Sequence, residues 1–260
     1  MATAPVEPEG RGLLAGKTVV VTAAAGTGIG SAVAKRAIVE GGSVLISDIH
    51  ERRLDETAER LESETGVRPL TAVCNVTQED DVQALVAAAV DGLGGIDVMM
   101  NNAGLGGSVR LVDMEDAQWS AVMSVTLDGT MRCTRAVLRH MIERGRGGAI
   151  VNNASVVGWR AQEEQAHYAA AKAGVMALTR CAAIEAAEHD VRINAVAPSL
   201  AMHPFLAKVT TEELLAELEQ KEAFGRAAEP WEVANVMVFL ASDLSSYMTG
   251  EILSVSSQHP

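Results

Sequence analysis

The chain reads as an α/β protein: a doubly wound, parallel sheet of seven strands with helices on both faces, in one domain. Three observations predict this. Short apolar runs alternate with helical segments along the whole chain. The runs are apolar at successive positions rather than at every second one, as in strands buried on both faces. A glycine cluster follows the first run, where a strand turns tightly into a helix. With right-handed crossovers, this alternation places the ligand crevice at the carboxyl ends of the strands.

The elements follow in order. Residues 1–12, MATAPVEPEGRG, are rich in Pro, Gly and Glu and read as a flexible arm ahead of a domain at 13–260. KTVVVT is the first strand, Ser31–Glu40 the first helix and SVLISD the second strand. The helix Glu51–Thr65 carries Leu54, Ala58 and Leu61 on one stripe. RPLTAVCNV is the third strand, followed by a helix at Glu79–Leu93. IDVMMNNAG is a strand running into a turn, and one long helix is expected from Asp116 to Arg144. GAIVNNAS, a helix at Tyr168–Glu188 and VRINAVAP come next. A polar insert, 199–226, stands where a substrate lid would sit; EPWEVANVMVFLAS forms the last helix, with Pro230 in its first turn. GEILSVS closes the sheet.

Composition limits the partners. The formal charge is −13, and such an acidic surface repels nucleic-acid phosphates. No apolar run is long enough for a membrane span, and the start lacks the apolar segment of a signal peptide. The three cysteines, Cys74, Cys133 and Cys181, have no metal-site spacing and read as small buried hydrophobes in a reducing compartment. These points predict a cytoplasmic protein with no metal, membrane or nucleic-acid partner.

Two features point to a dinucleotide. TAAAGTGIG places Gly26, Thr27, Gly28, Ile29 and Gly30 where strand one meets its helix, so the backbone can approach a pyrophosphate and the helix N-terminus can supply amides. Asp48 ends strand two, 20 positions after Gly28, the spacing of a carboxylate that binds adenosine-ribose hydroxyls. A carboxylate there repels a 2′-phosphate and favours NAD over NADP; Arg52 and Arg53 fit an exposed first helical turn.

AHYAAAKAG, 166–174, holds the chemistry. Lys172 is at i+4 from Tyr168, so both project from one helix face, and Ser155 precedes Tyr168 by 13 positions. A phenol of pKa about 10 is a poor base at neutral pH, and nearby positive charge lowers it. Tyr168 then exchanges a proton with a substrate oxygen that Ser155 orients.

TAAAGTGIG, NNAG at 101–104, Ser155, YAAAK and NAVAP together resemble the short-chain dehydrogenase/reductase family, over essentially the whole chain from Gly16. The resemblance implies a single Rossmann-fold domain with strand order 3-2-1-4-5-6-7. It implies Tyr168 as acid/base, Lys172 on the nicotinamide ribose, and Ser155 polarising the carbonyl. Asn102, Ala103 and Gly104 would lie along the cofactor, Asn75 and Val76 would flank adenine, and Pro198 would pack beside the nicotinamide. A homotetramer built on the helices 116–144 and 168–188 is also implied. The chain departs from the family pattern in several places. Ala24 replaces the first glycine of a turn that is one residue longer, and Asn75 replaces an aspartate. Thr126 replaces a fourth catalytic asparagine, His203 stands where a threonine is usual, and Ser256–Gln258 replace DGG.

Val157, Trp159, Arg160, Gln162, Met202 and Phe205 are the candidates to face a substrate. VVVTAAAGTGIG, NNASVVGWRAQ, AFGRAAEPWEVA and GEILSVSSQHP resemble an actinobacterial branch of the family, in cholesterol C/D-ring breakdown. That branch oxidises a ring hydroxyl of methylhexahydroindanone-propionyl-CoA intermediates. This implies a bulky hydrophobic or CoA-thioester substrate. A 3-oxoacyl-thioester reductase is the alternative, though Asp48 fits poorly with NADPH. A non-catalytic dinucleotide sensor is the alternative of another class, which the Ser-Tyr-Lys set disfavours.

Overall fold

Seven parallel strands form one sheet in the order β3-β2-β1-β4-β5-β6-β7. They are β1 Thr18–Val21, β2 Ser43–Asp48, β3 Leu70–Val73, β4 Val98–Asn101, β5 Gly148–Asn153, β6 Val191–Pro198 and β7 Ile252–Val255. The structure is a computed structural model describing residues 3–201 and 212–257. The helices are α1 Ile29–Val39, α2 Glu51–Thr65, α3 Glu79–Leu93, α4 Asp116–Met123, α5 Gly129–Arg144, α6 Ala166–Ala186, α7 Glu212–Gln220 and α8 Pro230–Ala241.

The successive apolar residues of each strand supply two cores. Val19 and Val21 of β1, with Val98 and Met100 of β4, face Val33, Ala34 and Ala37 of α1 and Met237 and Val238 of α8. Val20 and Met99 face the other way, against Leu85, Val137, Met141 and Ala183. Side chains alternate across a strand, so a strand covered on both faces must be apolar at every position. β3 departs from this expectation: it is the edge strand, and Leu70 and Val73 are exposed. Leu54, Ala58 and Leu61 are buried as their helical stripe predicts, and Pro230 opens α8.

Four sequence expectations are corrected. α1 begins two residues before Ser31, with Gly28 as its N-cap and Gly30 inside its first turn. α6 begins at Ala166, which puts Tyr168 in the first turn. The long helix is interrupted: Ser124–Asp128 form a π-helical turn between α4 and α5. Cys74 and Cys133 are buried, but Cys181 lies on the exposed face of α6.

The end of the arm is seated on α1. Buried Glu40 accepts from the backbone N–H groups of Arg11 (2.7 Å) and Leu13 (2.9 Å) and pairs with Arg36. Arg36 in turn donates to the carbonyls of Pro8 and Glu9. Desolvation works against the charged Glu40, but these donors together hold its carboxyl below the usual range. No helix among the described residues is long and apolar enough to cross a membrane, and no cluster of metal-ligating side chains occurs among them.

Candidate active site

The site lies at the carboxyl ends of β1, β2, β4, β5 and β6. The glycine turn leaves β1 with Ala23 at φ +50° and Gly26 at φ +96°. Gly30 is required by packing: a Cβ there would sit 2.4 Å from the Ala23 carbonyl oxygen and 2.5 Å from Asn102 Nδ2. α1 has no side-chain N-cap, which leaves its first-turn amides available to an anion.

Gly26 contributes in a way the sequence did not suggest. Its N–H donates to Thr57 Oγ1 (2.8 Å) and its carbonyl accepts from Arg60 (2.7 Å), both on α2. Arg60 also bonds Ser31 and is paired with Glu64 at 2.9 Å. The longer turn is therefore clamped from outside the crevice at Gly26, while Thr27, Gly28 and Ile29 lead into the helix. Asp48 braces the preceding peptide: it accepts from Ala25 N–H at 3.1 Å and from His50 N–H at 3.1 Å. Arg52 forms an exposed pair with Glu56. Arg53 reaches the glycine turn, with Nη2 3.2 Å from the position of a Cβ on Gly26.

Asn75 is turned to local work. Its Oδ1 accepts from the N–H and hydroxyl of Thr77, an Asx turn ahead of α3. Val76 is buried against Gly129 at the start of α5. The turn after β4 is tied to β1, because Thr22 Oγ1 accepts from the N–H groups of Asn102 (3.0 Å) and Ala103 (3.2 Å).

The Ser-Tyr-Lys set comes together as its spacing predicts. Ser155 follows β5, caps the short turn Val156–Gly158 by accepting from Val157 N–H, and hydrogen-bonds Tyr168. Its hydroxyl lies 3.5 Å from the carbonyl oxygen of Pro198 at the end of β6. Lys172 Nζ is 5.5 Å from the centroid of the Tyr168 ring and donates to the Asn153 carbonyl at 2.5 Å. Burial pushes the phenol up to about 12, against a smaller downward pull from Ser155. Burial also pushes the Lys172 ammonium down to about 8. Two adjacent desolvated groups whose pKa values burial drives apart are a recognised mark of a proton-transfer site.

Gly104 passes close to this pair: a Cβ there would lie 3.4 Å from Lys172 Nζ and 3.8 Å from Thr126 Oγ1. Thr126, in the π-helical turn, is fully buried. Its hydroxyl accepts from Leu105 N–H (3.0 Å) and donates to Leu105 O (3.1 Å). That one hydroxyl satisfies both backbone groups of a loop residue. The carbonyl of Thr126 is taken by Thr130 Oγ1 at 2.7 Å. His167 is buried beneath Gly107, and desolvation lowers its pKa.

Of the candidate substrate residues, Val157 and Arg160 are half-buried, and Trp159 and Gln162 are exposed. Met202, His203 and Phe205 lie outside the described residues, as does Gln258. Sequence reasoning missed Thr57, Arg60 and Asn153. Only Asn153 left a signal, as one of two adjacent amides ending an otherwise apolar strand.

A family model described as enoyl-(acyl carrier protein) reductase matches residues 23–257. The chain belongs to the short-chain dehydrogenase/reductase family. It is thus an oxidoreductase of a family whose Rossmann fold binds a nicotinamide dinucleotide. It is 60% identical over 260 residues to the Mycobacterium tuberculosis protein (5R,7aS)-5-hydroxy-7a-methyl-1-oxo-2,3,5,6,7,7a-hexahydro-1H-indene-carboxyl-CoA reductase, covering 100% of this chain and 99% of that one. It is 40% identical to the 3-oxoacyl-(acyl-carrier-protein) reductase of Thermotoga maritima, over 93% of this chain and 97% of that one. A crystal structure of a short chain dehydrogenase from Mycobacterium smegmatis superposes with a TM-score of 0.88 at 57% identity, covering 99% of both chains.

Proposed function

We propose that this short-chain dehydrogenase/reductase interconverts a secondary alcohol and a ketone on a bulky ring carried as a CoA thioester, with NAD as its dinucleotide. The observation that carries the chemistry is the contact of Tyr168 with Ser155 and its placement 5.5 Å from Lys172. The ring and thioester come from the relative of 60% identity, whose name specifies a carboxyl-CoA ester of a hydroxy-methyl-oxo-hexahydroindene. The 3-oxoacyl reductase reading draws on a relative of only 40% identity. A non-catalytic sensor gives no reason for two buried titratable groups at one point.

The crevice fits a nicotinamide dinucleotide. Gly30 leaves no room for a side chain between the turn and Asn102, and the uncapped α1 N-terminus suits a pyrophosphate. Thr27, Gly28 and Ile29 would hold the pyrophosphate, and Asp48 the adenosine ribose. Ala103 and Gly104 would line the nicotinamide half beside Lys172 and Pro198. A bound dinucleotide supplies the hydride acceptor for oxidation and the donor for reduction. Asp48 disfavours a 2′-phosphate by like-charge repulsion, so NAD is the assigned form.

Tyr168 carries the proton. With its phenol at about 12, it is protonated at neutral pH and ready to donate to a ketone oxygen during reduction. Oxidation needs the phenolate, which Lys172 favours when charged. Lys172, near 8, changes charge close to working pH and can pass a proton on. Ser155 donates to the reacting oxygen and orients it. Thr126 acts as a positioning residue here: it holds Leu105, and with it the loop beside Lys172. Trp159 and Arg160 border the substrate side.

A homotetramer belongs to this reading. α4 buries only Val122 and leaves Trp119 exposed, and α6 exposes Ile184. Covering these faces with copies of the same helices would remove apolar surface from water. Light scattering at the mass of a monomer would refute it. A cytoplasmic location is proposed on the three free cysteines, which suit a reducing compartment.

The experiment for the chemistry is Tyr168→Phe. Turnover should fall at least 10³-fold, while NAD binding stays within about threefold, because the phenol contributes in the transition state rather than to binding. Substantial residual turnover on hexahydroindanone-CoA or hydroxyacyl-CoA substrates would remove Tyr168 from the role.

A further inference from the structure

At the ends of β4 and β5, two amides form a chain whose orientation is fixed. Asn102 Nδ2 lies 3.0 Å from the carbonyl oxygen of Ala23, which can only accept. Asn102 must therefore present its NH₂ group there and its Oδ1 to the other side. That Oδ1 lies 2.9 Å from Asn153 Nδ2, so Asn153 in turn must present its NH₂ group. Flipping either amide would set two acceptors or two donors against each other. The consequence falls on Asn153 Oδ1: it is buried, and no group among the described residues donates to it. A buried acceptor without a donor costs free energy unless something else fills it.

The surroundings narrow what that is. The same residue's backbone carbonyl accepts from Lys172 Nζ, and Asn102 connects it to the glycine turn. A neutral carbonyl oxygen excludes a phosphate or carboxylate, which bring only acceptors; the ligand must donate, as a hydroxyl does. Asp48 at the end of β2 is the acceptor expected for the adenosine ribose. β5 lies three strand spacings from β2, past β1 and β4, or about 14 Å away. Two hydroxyl acceptors so separated along one crevice suit the two riboses of one dinucleotide.

We propose that Asn153 is a further dinucleotide-binding residue, its Oδ1 accepting from a hydroxyl of the ribose on the nicotinamide half. The inference rests on the dinucleotide reading above. It sets Asn153 beside Lys172 as a second contact to that ribose, and it connects ribose binding to the glycine turn through Asn102 and Ala23.

The test compares ADP-ribose, which has the second ribose, with ADP, which lacks it, by isothermal titration calorimetry. In the wild type ADP-ribose should bind more tightly than ADP. Asn153→Leu removes the acceptor and should weaken ADP-ribose by about 3- to 10-fold, the range of one hydrogen bond, with ADP unchanged. The inference is overturned if Asn153→Leu leaves ADP-ribose unchanged or if it weakens both ligands equally. Wild-type protein that binds neither probe overturns the dinucleotide reading itself.

Discussion

Lys172→Met should make the protein inactive and more stable at neutral pH. Lys172 is 3% exposed, and its ammonium is lowered from 10.5 to about 8 by desolvation. At about 1.4 kcal/mol per tenfold change in proton affinity, that gap corresponds to about 3 kcal/mol of destabilisation while the folded lysine is charged. The penalty is full below pH 8, where folded and unfolded chains both hold the proton. Between about 8 and 10.5 the folded lysine loses its proton while the unfolded one keeps it, so wild-type stability rises with pH. Above 10.5 no penalty remains. Methionine has a similar shape and no charge, but it leaves the Asn153 carbonyl without its donor, a cost of about 1 kcal/mol. The net gain at pH 7 is about 2 kcal/mol, which in a chain of this size raises Tm by roughly 4 °C. Urea titrations of both proteins at pH 7 and pH 10.5, without dinucleotide, measure it. The gain should vanish or reverse at the higher pH. A variant less stable than wild type at pH 7 would refute the claim that Lys172 is held charged at a cost.

Other perturbations test the parts separately. Asp48→Ala should narrow the preference for NAD over NADP, read as the ratio of kcat/KM values; a wild type that prefers NADP would reverse the assignment. Gly30→Ala should lower Tm and weaken ADP binding more than tenfold, since its Cβ would lie 2.4 Å from the Ala23 carbonyl oxygen. Thr126→Val should cost about 1–3 kcal/mol in urea titrations by stripping both partners from Leu105, whereas Thr126→Ser should retain most of that stability. In the oxidative direction kcat/KM should rise with pH as Tyr168 ionises, and that dependence should be absent from the residual activity of Tyr168→Phe.

The sheet was legible because burial on both faces leaves a plain mark: KTVVVT and SVLISD have no polar alternation, and the structure covers both sides of β1 and β2. Ser155, Tyr168 and Lys172 were legible because two of them share a helix face and the third lies a fixed distance upstream. The misses have physical reasons as well. Gly28 and Gly30 read as turn punctuation, but only Gly28 precedes the helix, as its N-cap; Gly30 lies in the first turn, where packing against Ala23 and Asn102 leaves no room for a Cβ. The π-helical turn at Ser124–Asp128 left no local mark because such a bulge sits inside an otherwise α-helical run, and no glycine or proline punctuates Ser124–Asp128. Thr57 and Arg60 looked like ordinary positions of an exposed amphipathic helix. Their role arises only once α2 folds back beside the glycine turn.

These features fall on one line across the sheet. From α2, Thr57 and Arg60 hold Gly26; from β2, Asp48 holds Ala25; from β4, Asn102 holds Ala23. Every peptide group so held is in the extended turn between β1 and α1, where Ala23 and Gly26 both have positive φ. A left-handed alanine costs about 1 kcal/mol or more, so the turn does not keep this shape by local preference. The neighbouring elements impose it. A turn held from three sides cannot relax by itself, and the hold from the β4 side runs through Asn102, which also accepts from Asn153. Lys172 and the glycine turn are thus joined through Asn153 and Asn102. Substitutions at Asn102, which bonds the turn directly, should therefore shift both kcat and dinucleotide affinity, whereas Ser155→Ala should shift kcat alone.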